Sequence, residues 1–165
     1  MIRGATYCLK GHFVGAEGPP PRDWDQVQEA ALREFDEDEG YKLPAFCTDC
    51  GSANISTCNQ CQKKIAFNNG RRPQYCGSCG SPFPWTVGAL SAAREYADEL
   101  DQFSSEDKIA LKATFDELTT DTARTPLAAT RFKRLMGVAG PAAAEIFKKI
   151  VETVATEGAK KMIGL

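Results

Sequence analysis

Long apolar runs are missing from this chain. No stretch approaches the roughly 18 consecutive apolar residues of a membrane-spanning helix, so no such helix is expected. Histidine is nearly absent: His12 is the only one in 165 residues. A catalytic centre built on several imidazoles is thereby excluded. There is no Gly-rich phosphate loop and no nucleophile elbow. The carboxylates of Asp98, Asp101, Glu106 and Asp107 read as surface charges near helix ends. An enzyme is therefore not expected. The opening residues, MIRGATYCLKGHFVGAEGPPP, show neither a long apolar core nor an obvious cleavage site. No signal peptide is expected, and the expected compartment is the cytoplasm, where disulfides are rare and thiols stay available for metal.

Cysteine, by contrast, is plentiful, and the count of seven is odd. An odd count fits poorly with complete pairing into intrachain disulfides. Six of the seven form the series Cys47-x2-Cys50-x7-Cys58-x2-Cys61-x14-Cys76-x2-Cys79. Each CxxC can fold into a tight turn that presents two thiolates to one ion, and Gly51, Gly77 and Gly80 fall at or just after these turns. A redox protein of the thioredoxin kind would carry one CxxC beside a βαβ pattern, and no such pattern is present. Structural metal is the better reading. Zinc, borderline soft and tetrahedral, favours thiolate and imidazole ligands.

Six thiolates do not close two tetrahedral sites. The remaining cysteine lies in Cys8-x3-His12, which alone would read as a buried Cys beside an exposed His. Coordination closure makes Cys8 and His12 the missing ligands. Cys58, Cys61, Cys76 and Cys79 have the spacing of a zinc ribbon, which leaves Cys8, His12, Cys47 and Cys50 for the second site. A cross-braced arrangement, in which Cys8 and His12 join Cys58 and Cys61, is the alternative that spacing leaves open. Sites with three or four thiolates and no open position hold folds and do not activate water.

These motifs resemble a bacterial family of small zinc-ribbon proteins known only as a domain of unknown function. The likeness rests on Tyr7-Cys8-x3-His12, on Phe46-Cys47-x2-Cys50-Gly51, on Cys58-x2-Cys61, and on Tyr75-Cys76-Gly77-x-Cys79-Gly80-x-Pro82-Phe83-Pro84-Trp85-Thr86. Asp121-Thr122-x-Arg124-Thr125, Arg131-Phe132-Lys133 and the closing Lys160-Lys161 are also similar. Residues 15–40 look like an insertion. The resemblance implies the same eight ligands and no particular activity.

The periodicities predict a small α+β protein. A double zinc-ribbon-like module of short strands, residues 1–85, precedes a helical bundle of about four helices, residues 86–165. Residues 2–14 predict a strand leading into a turn at Gly11, and GAEGPPPR predicts a linker. Trp24, Val27, Ala31 and Phe35 share one face of a helix capped by Asp23, ending near Phe35. Ile55, Ile65, Ala66 and Phe67 are strand positions, and Asn68-Asn69-Gly70 is a turn. Thr86 caps a first bundle helix running to about Gln102, with Leu90, Ala93, Tyr96, Ala97 and Leu100 on one face. Ser104-x-x-Asp107 caps a second that buries Ile109, Leu111, Phe115 and Leu118. Pro126 opens a third, with Leu127, Ala128, Phe132, Leu135 and Met136 apolar and interruptions at Gly137 and Gly140. Pro141 opens a fourth that runs towards Met162, with Ile146, Phe147, Ile150, Val151 and Val154 on its apolar side.

Net charge is small, −2, but unevenly spread. Residues 42–85 carry five basic side chains against Asp49, a local +4; residues 86–121 are −6 and residues 122–165 are +5. Lys63, Lys64, Arg71 and Arg72 surround Phe67 and Tyr75 on the ribbon hairpin, a combination that suits phosphate contact and base stacking. Pro82-Phe83-Pro84-Trp85-Thr86 reads first as a rigid connector with buried aromatics, and second as an exposed docking site. The expected function is a non-catalytic adaptor with a protein partner. Nucleic-acid binding by hairpin 63–75 is one alternative. Membrane-surface association through the C-terminal amphipathic helix is another.

Overall fold

The computed structural model describes residues 3–17, 43–68 and 71–165. The helix expected over 23–35, the linker beyond Glu17, and Asn69 and Gly70 of the expected turn lie outside the described residues. The chain divides into two compact units, Met1–Trp85 and Thr86–Leu165.

In the first unit the strand expected over 2–14 is two strands. β1 (Ala5–Cys8) and β2 (Phe13–Ala16) pair antiparallel, and β3 (Asn54–Ile55) joins the other edge of β1, giving the order β2-β1-β3. The chain reverses at Gly11, whose φ is +86° and whose N–H donates to the Cys8 carbonyl at 2.7 Å. A bulge between Thr6 and Tyr7 shifts the register, pairing Thr6 with Gly15 but Tyr7 with Phe13. Gly15 and Ala16, expected in the linker, therefore belong to β2. β1 is central and buried along its whole length. Ile65, Ala66 and Phe67 do not form a strand of their own. They contribute one bridge, Gly4 to Ala66, flanked by Ala5 N–H to Ile65 O at 2.7 Å and Phe67 N–H to Arg3 O at 2.8 Å.

Among the described residues the core of this unit is small: Ala5, Tyr7, Ile65, Phe83 and Trp85 with Cys58 and Cys76. Phe83 stacks on Trp85 with centroids 4.8 Å apart, and Trp85 meets Tyr7 at 5.4 Å. Their polar tips are satisfied, Trp85 Nε1 by the Pro73 carbonyl at 2.7 Å and Tyr7 OH by the Arg71 carbonyl at 3.1 Å. Phe83 and Trp85 are 3% and 5% exposed. That burial corrects the docking reading of the Pro-Phe-Pro-Trp segment: its aromatics are core. A core of this size, taken from the described residues alone, stabilises a module only weakly against chain entropy, and small modules of this kind gain from a further constraint.

The second unit contains five helices, not about four. α1 (Pro84–Asp98) starts two residues before the expected cap and ends four before Gln102; Thr86 is fully buried within it. α2 (Ser105–Leu118) begins at Ser104, whose hydroxyl accepts from the Asp107 N–H and donates to the Asp107 carboxylate, both at 3.1 Å. α3 (Thr125–Ala139) passes straight through Gly137 and stops at Gly140, φ +80°, where Pro141 opens α4 (Pro141–Val154). The fourth helix does not reach Met162. Ala155 turns extended, and Thr156 caps a separate α5 (Glu157–Ile163) by accepting from the Ala159 N–H. Thr156 is held in this break by its N–H to the Leu118 carbonyl at 3.1 Å and its hydroxyl to Asp121 at 2.7 Å.

α3 packs against α2, α4 and α5. Leu111, Phe115, Phe132, Leu135, Phe147 and Val151 are buried at its heart, with Leu90, Ala93 and Ala97 from α1. Ile109, expected in this core, is 69% exposed. Leu127, Ile146 and Met162 are exposed as well. Each belongs to an apolar stripe wider than the face its helix buries.

Candidate metal centres

Three CxxC turns of the first unit are copies of one hairpin. In each, the first cysteine donates its N–H to the carbonyl five residues ahead: Cys47 to Ser52, Cys58 to Lys63 and Cys76 to Ser81, all 2.8 Å. The residue four ahead (Gly51, Gln62 or Gly80) returns its N–H to that cysteine's carbonyl at 2.8–2.9 Å. A third bond closes each hairpin from the residue seven ahead to the carbonyl two behind: Asn54 to Ala45, Ile65 to Ser56 and Phe83 to Gln74. The bridges Phe46–Ala53, Thr57–Lys64 and Tyr75–Pro82 repeat at the same offsets. The repeat seen in sequence as CxxC thus extends over ten residues, 45–54, 56–65 and 74–83. Its fourth residue past the cysteine needs a left-handed backbone. Gly51 and Gly80 supply it at φ +67° and +73°, while Gln62 holds φ +57° without glycine's freedom.

Cys8 and His12 sit on a shortened version of this turn. Gly11 N–H reaches the Cys8 carbonyl one residue earlier than in the other three, and Cys8 N–H reaches His12 O at 3.0 Å. His12 N–H also points at Cys8 Sγ, 3.3 Å away.

The fold gathers the eight residues into two groups, Cys8, His12, Cys47 and Cys50 in one, Cys58, Cys61, Cys76 and Cys79 in the other. This is the sequential grouping, not the cross-braced one. Within each group the ligand atoms lie within 4.8 Å of one another. Cys58 and Cys79 sulfurs are 3.7 Å apart, as are Cys61 and Cys76. Cys8 and Cys50 sulfurs are 3.8 Å apart, and Cys47 Sγ is 3.7 Å from His12 Nδ1. Disulfide sulfurs would be about 2.05 Å apart, and all seven cysteines are free. A tetrahedral ion with sulfur ligands at about 2.3 Å sets neighbouring sulfurs about 3.8 Å apart. The residues therefore fit an ion held by four protein atoms.

Electrostatics agree with that fit. Two thiolates 3.7 Å apart repel by about 4–5 kcal/mol at an effective dielectric of about 20, so four cannot ionise together without a cation. The thiols accordingly spread apart in acidity. Cys50 is drawn down to about 6 by the Ser52 hydroxyl and then the Ser52 N–H. Cys79 is drawn down to about 6 by the Ser81 hydroxyl and N–H in the same way. The N–H groups of Ser78 and Cys79 lower Cys76. Burial raises Cys47. At Cys61 the Lys63 N–H pulls downward, but burial and the sulfurs of Cys79, Cys76 and Cys58 outweigh it and push the thiol up to about 12.

Ser52 and Ser81 escape a reading that looks only for ligands. The signal was present, since Cys-Gly-Ser follows both the first and third CxxC turns where the second has Cys-Gln-Lys. The expected basic hairpin is not a single hairpin among the described residues: Lys63 and Lys64 end the 56–65 turn, and Arg71 and Arg72 lie between it and the 74–83 turn. These side chains are partly engaged within the unit. Lys64 pairs with Glu17 at 2.7 Å, and Arg72 donates to the Lys10 carbonyl at 3.3 Å. Arg3, not one of the four basic residues, lies over the Phe67 ring at 5.3 Å. Lys63 and Arg71 are exposed.

Fold and site together define a small α+β protein with two Cys/His clusters able to hold metal, followed by five helices. The chain belongs to a bacterial family, described as an uncharacterized protein conserved in bacteria (DUF2321), whose family model matches residues 31–163. That span holds six of the eight cluster residues; Cys8 and His12 precede it. No curated protein and no solved structure matches the chain. No helix among the described residues is long and apolar enough to cross a membrane.

Proposed function

We propose that this is a non-catalytic zinc protein in which two structural ions, one on Cys8, His12, Cys47 and Cys50 and one on Cys58, Cys61, Cys76 and Cys79, stabilise a small module that binds another macromolecule. The observation that carries the metal reading is the pair of four-ligand groups at tetrahedral spacing. Zinc suits seven sulfurs and one imidazole, and a shell closed by four protein ligands offers no position for substrate or water. Metal analysis of the purified chain tests it: two equivalents of zinc are expected, falling to one in Cys47→Ser or Cys61→Ser.

A protein partner is the reading with most support. Phe46 is 63% exposed and Leu9 is 40% exposed. Both flank Ala53, Phe46 through its bridge and Leu9 through its N–H to the Ala53 carbonyl at 3.0 Å. An aromatic held in solvent on a metal-tethered turn suits an interface anchor. A partner retained on the zinc-loaded chain and lost with Phe46→Ser at unchanged zinc content supports this; equal retention contradicts it.

Nucleic-acid binding through the basic segment 63–75 is the second reading, supported by the exposure of Lys63 and Arg71. It requires salt-dependent binding to single- or double-stranded nucleic acid that falls in the Lys63→Ala/Arg71→Ala double variant. Membrane-surface association has less support, because Phe147, Val151, Val154 and Ile163 of the C-terminal helices are used in the helical core.

A further inference from the structure

The two clusters differ in which ligand meets solvent. In the first, Cys8 and Cys47 are buried, Cys50 is half-buried, and the exposed member is His12. In the second, Cys58 and Cys76 are buried, Cys61 is half-buried, and the exposed member is a cysteine, Cys79. Its flanks are open: Gly77, Ser78 and Gly80 are all exposed, and a Cβ added at Gly77 or Gly80 would meet no atom of the described residues within 4 Å. The buried Cys58 sulfur lies 3.7 Å behind the Cys79 sulfur. An imidazole resists two-electron oxidation by peroxide; a thiolate does not.

We propose that the Cys58, Cys61, Cys76 and Cys79 centre is a peroxide-sensitive switch that opens through Cys79, while the Cys8, His12, Cys47 and Cys50 centre resists. This rests on the zinc reading above. Hydrogen peroxide is the oxidant. The Cys79 thiolate attacks one peroxide oxygen and the O–O bond breaks. Sulfur loses two electrons, giving a sulfenic acid, and the second oxygen leaves as hydroxide. The Cys58 thiolate then attacks the Cys79 sulfur and displaces a second hydroxide, forming the Cys58–Cys79 disulfide. The sulfurs close from 3.7 Å to about 2.05 Å. Two ligands are thereby lost, and the ion leaves. In sum, two thiolates and one peroxide give one disulfide and two hydroxides.

The test titrates the zinc-loaded full chain with hydrogen peroxide, follows free zinc with a chromogenic chelator, and maps oxidised cysteines by mass spectrometry. Release of one zinc equivalent well ahead of the second, with the Cys58–Cys79 disulfide in the same fraction, is expected. Cys79→His, which keeps a ligand but removes the exposed thiolate, should slow that first release about tenfold. The wild-type map decides the matter even if this variant does not fold. Two zinc ions leaving together, or oxidation appearing first at Cys8, Cys47 or Cys50, overturns the switch alone. A chain that purifies without zinc overturns the metal reading and the switch with it.

Discussion

Gln62 carries the one left-handed backbone among the described non-glycine residues, at φ +57°. A left-handed conformation costs an L-residue roughly 1–2 kcal/mol, part of which glycine returns as chain entropy. Gln62→Gly should therefore raise the stability of the first unit by about 0.5–1 kcal/mol, read as a higher denaturation midpoint. Gly11 is the opposite case. An added Cβ would lie 2.5 Å from Arg72 Cδ and 3.0 Å from Trp85 Cγ, at φ +86°. Gly11→Ala should cost about 2 kcal/mol or more and, under the proposed zinc assignment, weaken metal retention by the Cys8, His12, Cys47 and Cys50 cluster. The cysteines were legible because metal chemistry fixes both residue type and spacing. Gln62 was not, and Ser52 and Ser81 showed only as a repeated Cys-Gly-Ser, because their roles depend on a hairpin whose bonds join residues four, five and nine apart. The exposure of Ile109 was hidden for a related reason: a stripe shows which residues are apolar, not how wide the partner face is.

Between elements, the break from α4 to α5 is held by Thr156. Its hydroxyl accepts from the Ala159 N–H and donates to Asp121, and its own N–H is taken by the Leu118 carbonyl. Thr156→Ala removes the hydroxyl's bonds and should cost about 1–2 kcal/mol in a urea titration. Phe147, fully buried and in ring contact with Tyr96 and Phe115, is the stronger site. Phe147→Ala should cost about 3–5 kcal/mol, a large share of the stability of a domain this size. Pro126, Pro141 and Ser104 were readable as helix starts because capping is local. The division at Ala155 was not, since Thr156 is recruited by Leu118 at the end of α2 and Asp121 on the α2–α3 connection, both far away in sequence. The hairpin of β1 and β2 was half legible: Gly11 marked the turn, but only the pairing with β1 makes Gly15 and Ala16 a strand.

For the whole molecule, the two units draw on different sources of stability. The helical unit has an extensive apolar core, whereas the described residues of the first unit show a handful of aromatics around its clusters. Zinc in small thiolate modules is worth on the order of 10–16 kcal/mol. A strong chelator should therefore unfold residues 1–85 first. Both tryptophans, Trp24 and Trp85, fall in that part of the sequence. Tryptophan emission should shift to the red while helical circular dichroism at 222 nm largely persists. Simultaneous loss of both signals would contradict separate sources of stability. X-ray absorption at the zinc edge of the purified chain tests the metal assignment most directly. Seven sulfurs and one nitrogen shared by two ions predict a shell dominated by sulfur at about 2.3 Å, with a minor nitrogen component at about 2.0–2.1 Å. A shell of light oxygen or nitrogen scatterers, or the absence of a zinc edge, would contradict it.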